Sequence, residues 1–328
     1  MNAENRPDPS PVVTRNVRLP CPLIASGPAD LPVAEHAQAA AIEQQVRAWA
    51  TGQTALPEFA SAQDAGFGRL AAGLYPDGDA AKVALAGCVL LYLFEFDGSR
   101  IEAPALSGDA ESAVRQLLRW EAVLEGNSVH NDESCRALQQ LWLRLVDITD
   151  TEEQSRLRNA WRTYSMGAAC EASLLAAGTY PTPQEYDVLR QLTISEWPLI
   201  LITITRGSSL PGDIWSDPGV QALNQLAVRL IGICNDIASC PKETAASSAA
   251  LNYPTVYAHH DHTTLDGGLD STRRLYRTLL HAFTETEQRD ELYDVARPPL
   301  RRYLNDLALL LGGWHRWCAH TPRYQQST

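Results

Sequence analysis

An all-α fold is what the sequence predicts. Apolar residues recur at three- and four-residue steps from about residue 35 to 318, strand signals are scarce, and short Pro, Gly or Asp breaks separate the periodic stretches. The first helix, over 35–51, is carried by Ile42, Val46 and Trp49, and the second, over 62–73, by Phe67 and Leu70. A third, over 79–97, follows Asp79 and contains the apolar run from Val83 to Phe96. Ala113, Leu117, Trp120 and Leu124 mark 110–126, and Leu138, Leu141 and Leu145 mark 132–149. Leu157, Trp161, Tyr164 and Ala168 mark 152–178, up to Gly178. Further helices are expected over 183–207 after the break at Pro181-Thr182, over 218–240 after Asp217, over 268–287, and over 289–318 with Leu300, Leu304, Leu307 and Leu311. Residues 1–17 and 244–266 read as loops.

Composition narrows the function. A chain of 328 residues with 45% hydrophobic content can bury a large core. Its formal net charge of -12 argues against nucleic acid as a partner, because that binding needs a basic surface to displace counterions. The seven cysteines lack metal-site spacing and read as small buried residues in a reducing compartment. The start, MNAENRPDPSPVV, has no signal-peptide pattern, and the apolar run before Asp97 falls short of the roughly 20 residues that cross a bilayer. A cytoplasmic protein without a membrane span is expected, as monomer or homodimer.

The most informative stretch is Asn235-Asp236-Ile237-Ala238-Ser239-Cys240-Pro241-Lys242-Glu243. On a helix, Asn235, Ser239 and Glu243 fall within roughly 80° of one another, with Lys242 along the same edge. An amide oxygen, a hydroxyl and a carboxylate suit Mg²⁺ or Mn²⁺, which take oxygen donors and share substrate phosphates. Polar residues at this spacing are also found on solvated faces. Here the apolar run Leu226–Cys234 leads straight into them, so they are expected to face an enclosed cavity.

Three further features are weaker alone. The apolar helix before Asp97 ends at the carboxylates Asp97 and Glu102, and Pro104 supports a helix end there. Buried acids are costly unless paired or metal-bound. Arg323-Tyr324 presents a guanidinium fork and a phenol in tandem, both able to donate to a diphosphate. Arg190, in Tyr186-Asp187-Val188-Leu189-Arg190, lies 45 positions before Asn235.

Together these residues resemble the bacterial-type class I terpene synthases. That family's Asn-Asp-x-x-Ser-x-x-x-Glu motif is matched at Asn235, Asp236, Ser239 and Glu243, with Lys242 before the acid; its terminal Arg-Tyr pair is matched by Arg323 and Tyr324, and its diphosphate-sensing arginine by Arg190. Leu19-Pro20-Cys21-Pro22, Leu74-Tyr75-Pro76 and Leu251-Asn252-Tyr253-Pro254 extend the similarity over nearly the whole chain. The departure is Asp97-Gly98-Ser99-Arg100-Ile101-Glu102, where the family's second Asp is Gly98. In the family that Asp tends to pair with the sensing arginine. Glu95 or Glu102 is a candidate to replace it as the partner of Arg190. Asp97 and Glu102 stand about 140° apart on an α-helix, so they converge only if the helix ends or kinks between them.

The resemblance implies a single antiparallel α-helical bundle of the class I terpene synthase type with a central apolar pocket, over 18–328, after a flexible segment at 1–17. It implies three Mg²⁺ ions, with Mn²⁺ as a substitute, held by Asp97, Glu102, Asn235, Ser239 and Glu243. Arg190, Lys242, Arg323 and Tyr324 would then bind the diphosphate of a linear prenyl diphosphate, which is ionised and cyclised with loss of diphosphate. Phe94 and Trp317 match positions of cation-stabilising aromatics, with core packing as the alternative for each. Thr193 and Ile194 match the helix break that follows the sensing arginine. Cys170, before Glu171, stands where many C15 cyclases carry Trp, and Cys88 is small as well, which favours geranylgeranyl diphosphate over farnesyl diphosphate. A catalytically silent relative, suggested by Gly98, is the alternative function; a chain-elongating prenyltransferase would need a second Asp-rich motif.

Overall fold

The structure, a computed structural model, describes residues 31–127, 132–247, 250–287 and 298–324. Regular structure among these residues is entirely helical. The α-helices are α1 (Ala39–Gly52), α2 (Pro57–Ala62), α3 (Phe67–Leu74), α4 (Ala80–Phe96), α5 (Ala103–Leu106), α6 (Ala110–Leu124), α7 (Glu133–Val146) and α8 (Thr151–Ala177). They continue with α9 (Pro183–Ile194), α10 (Trp197–Arg206), α11 (Gly212–Trp215), α12 (Pro218–Ala246), α13 (Tyr253–His260), α14 (Leu265–Glu287) and α15 (Pro298–His320). A π-helical turn, Asp97–Glu102, joins α4 to α5, and short 3-10 turns span Gln63–Ala65 and Pro322–Tyr324.

The breaks in the apolar pattern are helix starts, because their side chains satisfy the N–H groups that a first turn leaves unpaired. Asp79 accepts from Ala81 N and Lys82 N at 3.0 and 3.1 Å, and Asp109 and Asp132 cap α6 and α7 in the same way. Asp150 with Glu153 and Thr182 with Glu185 form reciprocal capping boxes on α8 and α9. Pro183 and Pro218 occupy the first turns of α9 and α12, where a missing N–H costs nothing.

At the centre lie α4, buried from Val83 to Tyr92, and α10, buried from Trp197 to Thr205. Helices apolar all round need neighbours on every side. Those of α4 include α1, α3, α7 and α10, while α10 also meets α8 and α15. The bundle closes where α15 crosses α3. Gly313 lies so close to the Gly73 carbonyl that a Cβ there would overlap it.

Several boundaries differ from expectation. The helix expected over 183–207 is two, α9 and α10, separated at Ser195, whose φ of 56° and ψ of -172° no continuous helix can hold. This break falls just after Thr193 and Ile194, where the resemblance implies one. The helix carrying Asp97 does not stop at its acids but runs through the π-helical turn into α5. Pro104 supplies no N–H and its ring would crowd a carbonyl four residues back in an α-helix, which the widened turn avoids. α12 continues through Pro241 to Ala246 rather than ending at 240. The loop expected over 244–266 contains α13, started by an Asn252–Thr255 capping box. The described part of the last helix begins at Pro298 and reaches His320. The flexible segment expected at 1–17, the Leu19–Pro22 similarity and residues 289–297 lie outside the described residues. No helix among the described residues is long and apolar enough to cross a membrane.

Candidate active site

Asp97 and Glu102 meet because of the π-helical turn. In it the Ala103 N–H bonds to the Gly98 carbonyl, five residues back, so side chains five apart share a side instead of diverging as on an α-helix. Both line one cavity of about 180 Å³. Tyr164 on α8 donates its hydroxyl to Asp97 Oδ1 at 2.6 Å. Burial raises the Asp97 carboxyl above its usual range against that bond and the nearby arginines. Burial, reinforced by the charges of Asp97 and Glu243, pushes Glu102 up to about 8. Glu171, further along α8, lines the same cavity, and burial together with Asp97 raises it well above a normal glutamate.

The opposite wall is α12 with α9 behind it. Asn235, Asp236 and Ser239 are buried, while Lys242 and Glu243 reach the rim. The Arg190 guanidinium spans three partners: Nε donates to Asp236 Oδ1 at 2.8 Å, Nη2 to Asn235 Oδ1 at 2.8 Å and Nη1 to Thr193 Oγ1 at 2.9 Å. Asp236 Oδ2 accepts from the Tyr186 hydroxyl at 2.8 Å and from Tyr253 N at 3.0 Å. Burial pushes Asp236 up to about 6 even beside Arg190. Gly232 permits this approach, since a Cβ there would sit 3.0 Å from Arg190 Cγ. Asn235 Nδ2 donates to the Tyr324 hydroxyl at 2.7 Å, tying the C-terminal turn to α12. Glu243 Oε2 accepts from Asn252 Nδ2 at 2.8 Å.

Arg323 closes the third side. It forms an ion pair with Glu95 of α4 and lies over the Phe94 ring at 5.2 Å. Lys242 has its pKa lowered by burial and by Arg323 nearby.

Nine of the expected residues thus converge on the cavity: Phe94, Asp97, Glu102, Arg190, Asn235, Lys242, Glu243, Arg323 and Tyr324. Ser239 is buried on the same helix, one turn from both Asn235 and Glu243. Others are not brought there. Cys170 is exposed, because one residue along α8 turns it about 100° from Glu171, which faces the cavity. Trp317 is not on the cavity wall; its indole N–H donates to Ala65 O at 3.0 Å and its ring packs 5.7 Å from Phe94, so the core-packing alternative holds for it. Thr193 holds Arg190 rather than lining the cavity, and Ile194 packs towards Gly232. Neither Glu95 nor Glu102 partners Arg190; that place belongs to Asp236. Cys88 is buried in α4 and absent from the cavity lining. Asp236, Glu171 and Tyr164 gain roles that the sequence alone does not give them. Asp236 stands in the metal motif, but its partner Arg190 lies on another helix.

The donor set fits a hard divalent cation. Ser239 Oγ is buried without a hydrogen-bond partner, a hydroxyl for which the fold itself gives no use. The charges of Asp97 and Glu243 raise the proton affinity of Glu102, a repulsion that a cation would relieve. Among the described residues no group of three or more His, Cys, Asp or Glu is placed to hold a metal ion by itself.

Comparison with known proteins gives the family and the fold. The family described as terpene synthase family 2, C-terminal metal binding, matches residues 101–282. The 4-epi-cubebol synthase of Streptosporangium roseum is 26% identical over 201 residues, covering 61% of each chain, so the match spans about three fifths of that relative. The tsukubadiene synthase of Streptomyces tsukubensis is 24% identical over 90% of this chain and 88% of its own. The crystal structure of 2-methylisoborneol synthase from Streptomyces coelicolor A3(2), in complex with Mg²⁺ and 2-fluoroneryl diphosphate, superposes with a TM-score of 0.82 at 21% identity, covering 93% and 97% of the two chains. That likeness speaks to the fold. Since the family match takes in more than half of the sequence, the chain belongs to the bacterial class I terpene synthase family.

Proposed function

We propose that the protein ionises a linear prenyl diphosphate with the help of Mg²⁺ and cyclises the resulting allylic cation to a terpene, releasing diphosphate. The observation that carries this reading is the convergence of oxygen donors from two helices and the cations Arg190, Lys242 and Arg323 on one cavity beside the Phe94 ring. In this reading Asp97 and Glu102 on one wall, and Asn235, Ser239 and Glu243 on the other, hold three Mg²⁺ ions, or Mn²⁺ in their place. When bound, these ions neutralise the charge that develops on the departing diphosphate. Arg190, Lys242, Arg323 and Tyr324 donate hydrogen bonds to its oxygens, which favours the separated charges over the intact ester. Phe94, on the cavity wall, is an aromatic available to stabilise the cation, worth about 0.5 to 2 kcal/mol.

A C15 substrate is preferred to the C20 one. The small side chains that favoured geranylgeranyl diphosphate, Cys170 and Cys88, do not line the cavity. The 4-epi-cubebol synthase is named as cyclising (2E,6E)-farnesyl diphosphate. Incubation of the purified protein with Mg²⁺ and C10, C15 or C20 diphosphates, followed by mass-spectrometric analysis of organic extracts, tests the reading. We expect a cyclic C15 product without added isopentenyl diphosphate. Binding of all three without turnover would instead identify a silent relative.

A further inference from the structure

Position 98 carries no side chain. A Cβ there would meet nothing nearer than Glu102 Oε2, at 4.0 Å, so the Asp-rich turn offers no carboxylate from that site to a cation above the cavity. The α4 carboxylate that does engage such a cation is Glu95, which forms an ion pair with Arg323. Both side chains are largely buried, at 12% and 16% exposure. Glu95 does not line the cavity, whereas Arg323 does. Residues two apart on a helix point to different sides, so Asp97 turns inward while Glu95 turns towards the C-terminal segment.

Resting on the diphosphate reading above, we infer that Glu95 is a positioning residue that presents Arg323 to the diphosphate. Its carboxylate takes Nη1 of the guanidinium, and the rings of Phe94 and Phe67 lie 5.2 and 5.9 Å from the guanidinium carbon. The Nη2 group makes only a 3.5 Å contact, with the Phe94 carbonyl. A guanidinium has five donors in a rigid fork, so the remaining edge can serve an anion without displacing Glu95. Arg323 stands close enough to disfavour the charge of Lys242, and Glu95 favours the charge of both. Without Glu95 the guanidinium would be drawn out towards solvent and the cavity would lose its donor.

The test is a double-mutant cycle on the full-length protein, with calorimetric titration of inorganic pyrophosphate in the presence of Mg²⁺ as the readout. Glu95→Ala is expected to weaken binding by about tenfold or more, comparable with Arg323→Ala, and the double variant to be no weaker than Arg323→Ala alone. Such non-additivity is what a residue acting through Arg323 produces. A loss from general loosening of the fold would add to that of Arg323→Ala, and additive losses overturn the inference. Should Glu95→Ala lose its cooperative melting transition, the near-isosteric Glu95→Gln runs the same cycle. Failure of the unsubstituted protein to bind pyrophosphate removes the diphosphate reading and this inference with it; normal binding with additive losses removes this inference alone.

Discussion

Ser239 and Asn235 share one helical stripe yet differ in what the fold asks of them. The Ser239 hydroxyl is buried without a partner, while Asn235 bridges Arg190 and Tyr324. Removing an unsatisfied polar group is neutral or stabilising, whereas removing a shared partner strands buried groups at about 1–3 kcal/mol each. Ser239→Ala is therefore expected to keep or raise the melting temperature while lowering Mg²⁺-dependent turnover by roughly 10²-fold, as loss of one stabilising group in a closed site does. Asn235→Ala is expected to lower both. Thermal melts without metal, set beside product assays, check the pair, and a destabilised Ser239→Ala would mean that its hydroxyl has a structural partner. The stripe was legible because four-residue steps on one helix fix which side chains are neighbours. Asp236 was not, since its role depends on Arg190, Tyr186 and Tyr253 arriving from α9 and α13. Cys170 was misplaced because an adjacent residue matched to a family position says nothing about which way that residue turns.

At the scale of elements, helix starts could be read from Asp, Thr and Pro at the breaks because capping is local chemistry. Several short elements could not, α13 and the π-helical turn among them. α13 is only eight residues long, too short for periodicity, and its signal was the Asn252–Thr255 box. The π-helical turn was invisible to a reading made at 100° per residue, and it is the element that brings Asp97 and Glu102 together. Its open space at Gly98 makes a prediction. Gly98→Asp fits sterically, and aspartate is a somewhat better helix former than glycine. It also adds a carboxylate to a cavity where Glu102 is already pushed up to about 8 by burial and like charge. We expect a fold-competent variant with a melting temperature a few degrees below the parent in chelator and a larger Mg²⁺-induced rise, with activity kept or increased. A melting curve in chelator matching the parent's would show that the added charge does not reach the cluster.

For the whole molecule, buried groups at two distant places set opposing pH limits on stability. His315 on α15 shares a hydrogen bond with Tyr276 of α14, and burial lowers its pKa from 6.5 to about 4. The unfolded chain binds this proton first, so the group's contribution is present above pH 6.5 and fades as pH falls towards 4, by up to roughly 3 kcal/mol. Glu102 works the other way. Its pKa rises from 4.5 to about 8, so the folded protein holds the proton longer, and the associated stability is present below pH 4.5 and lost as pH climbs through 8. In chelator the melting temperature is accordingly expected to pass through a maximum between these limbs. Mg²⁺ should lift the alkaline limb selectively, because cations favour the deprotonated carboxylates there and do not reach the α14–α15 contact. Glu102→Gln separates the two causes. It should flatten the alkaline limb in chelator and leave the acid limb untouched, which melting curves from pH 4 to 9 would resolve. If the alkaline limb keeps its slope in that variant, the titrating charge belongs to another cavity carboxylate, with Glu171 the first to replace, since burial raises it as well.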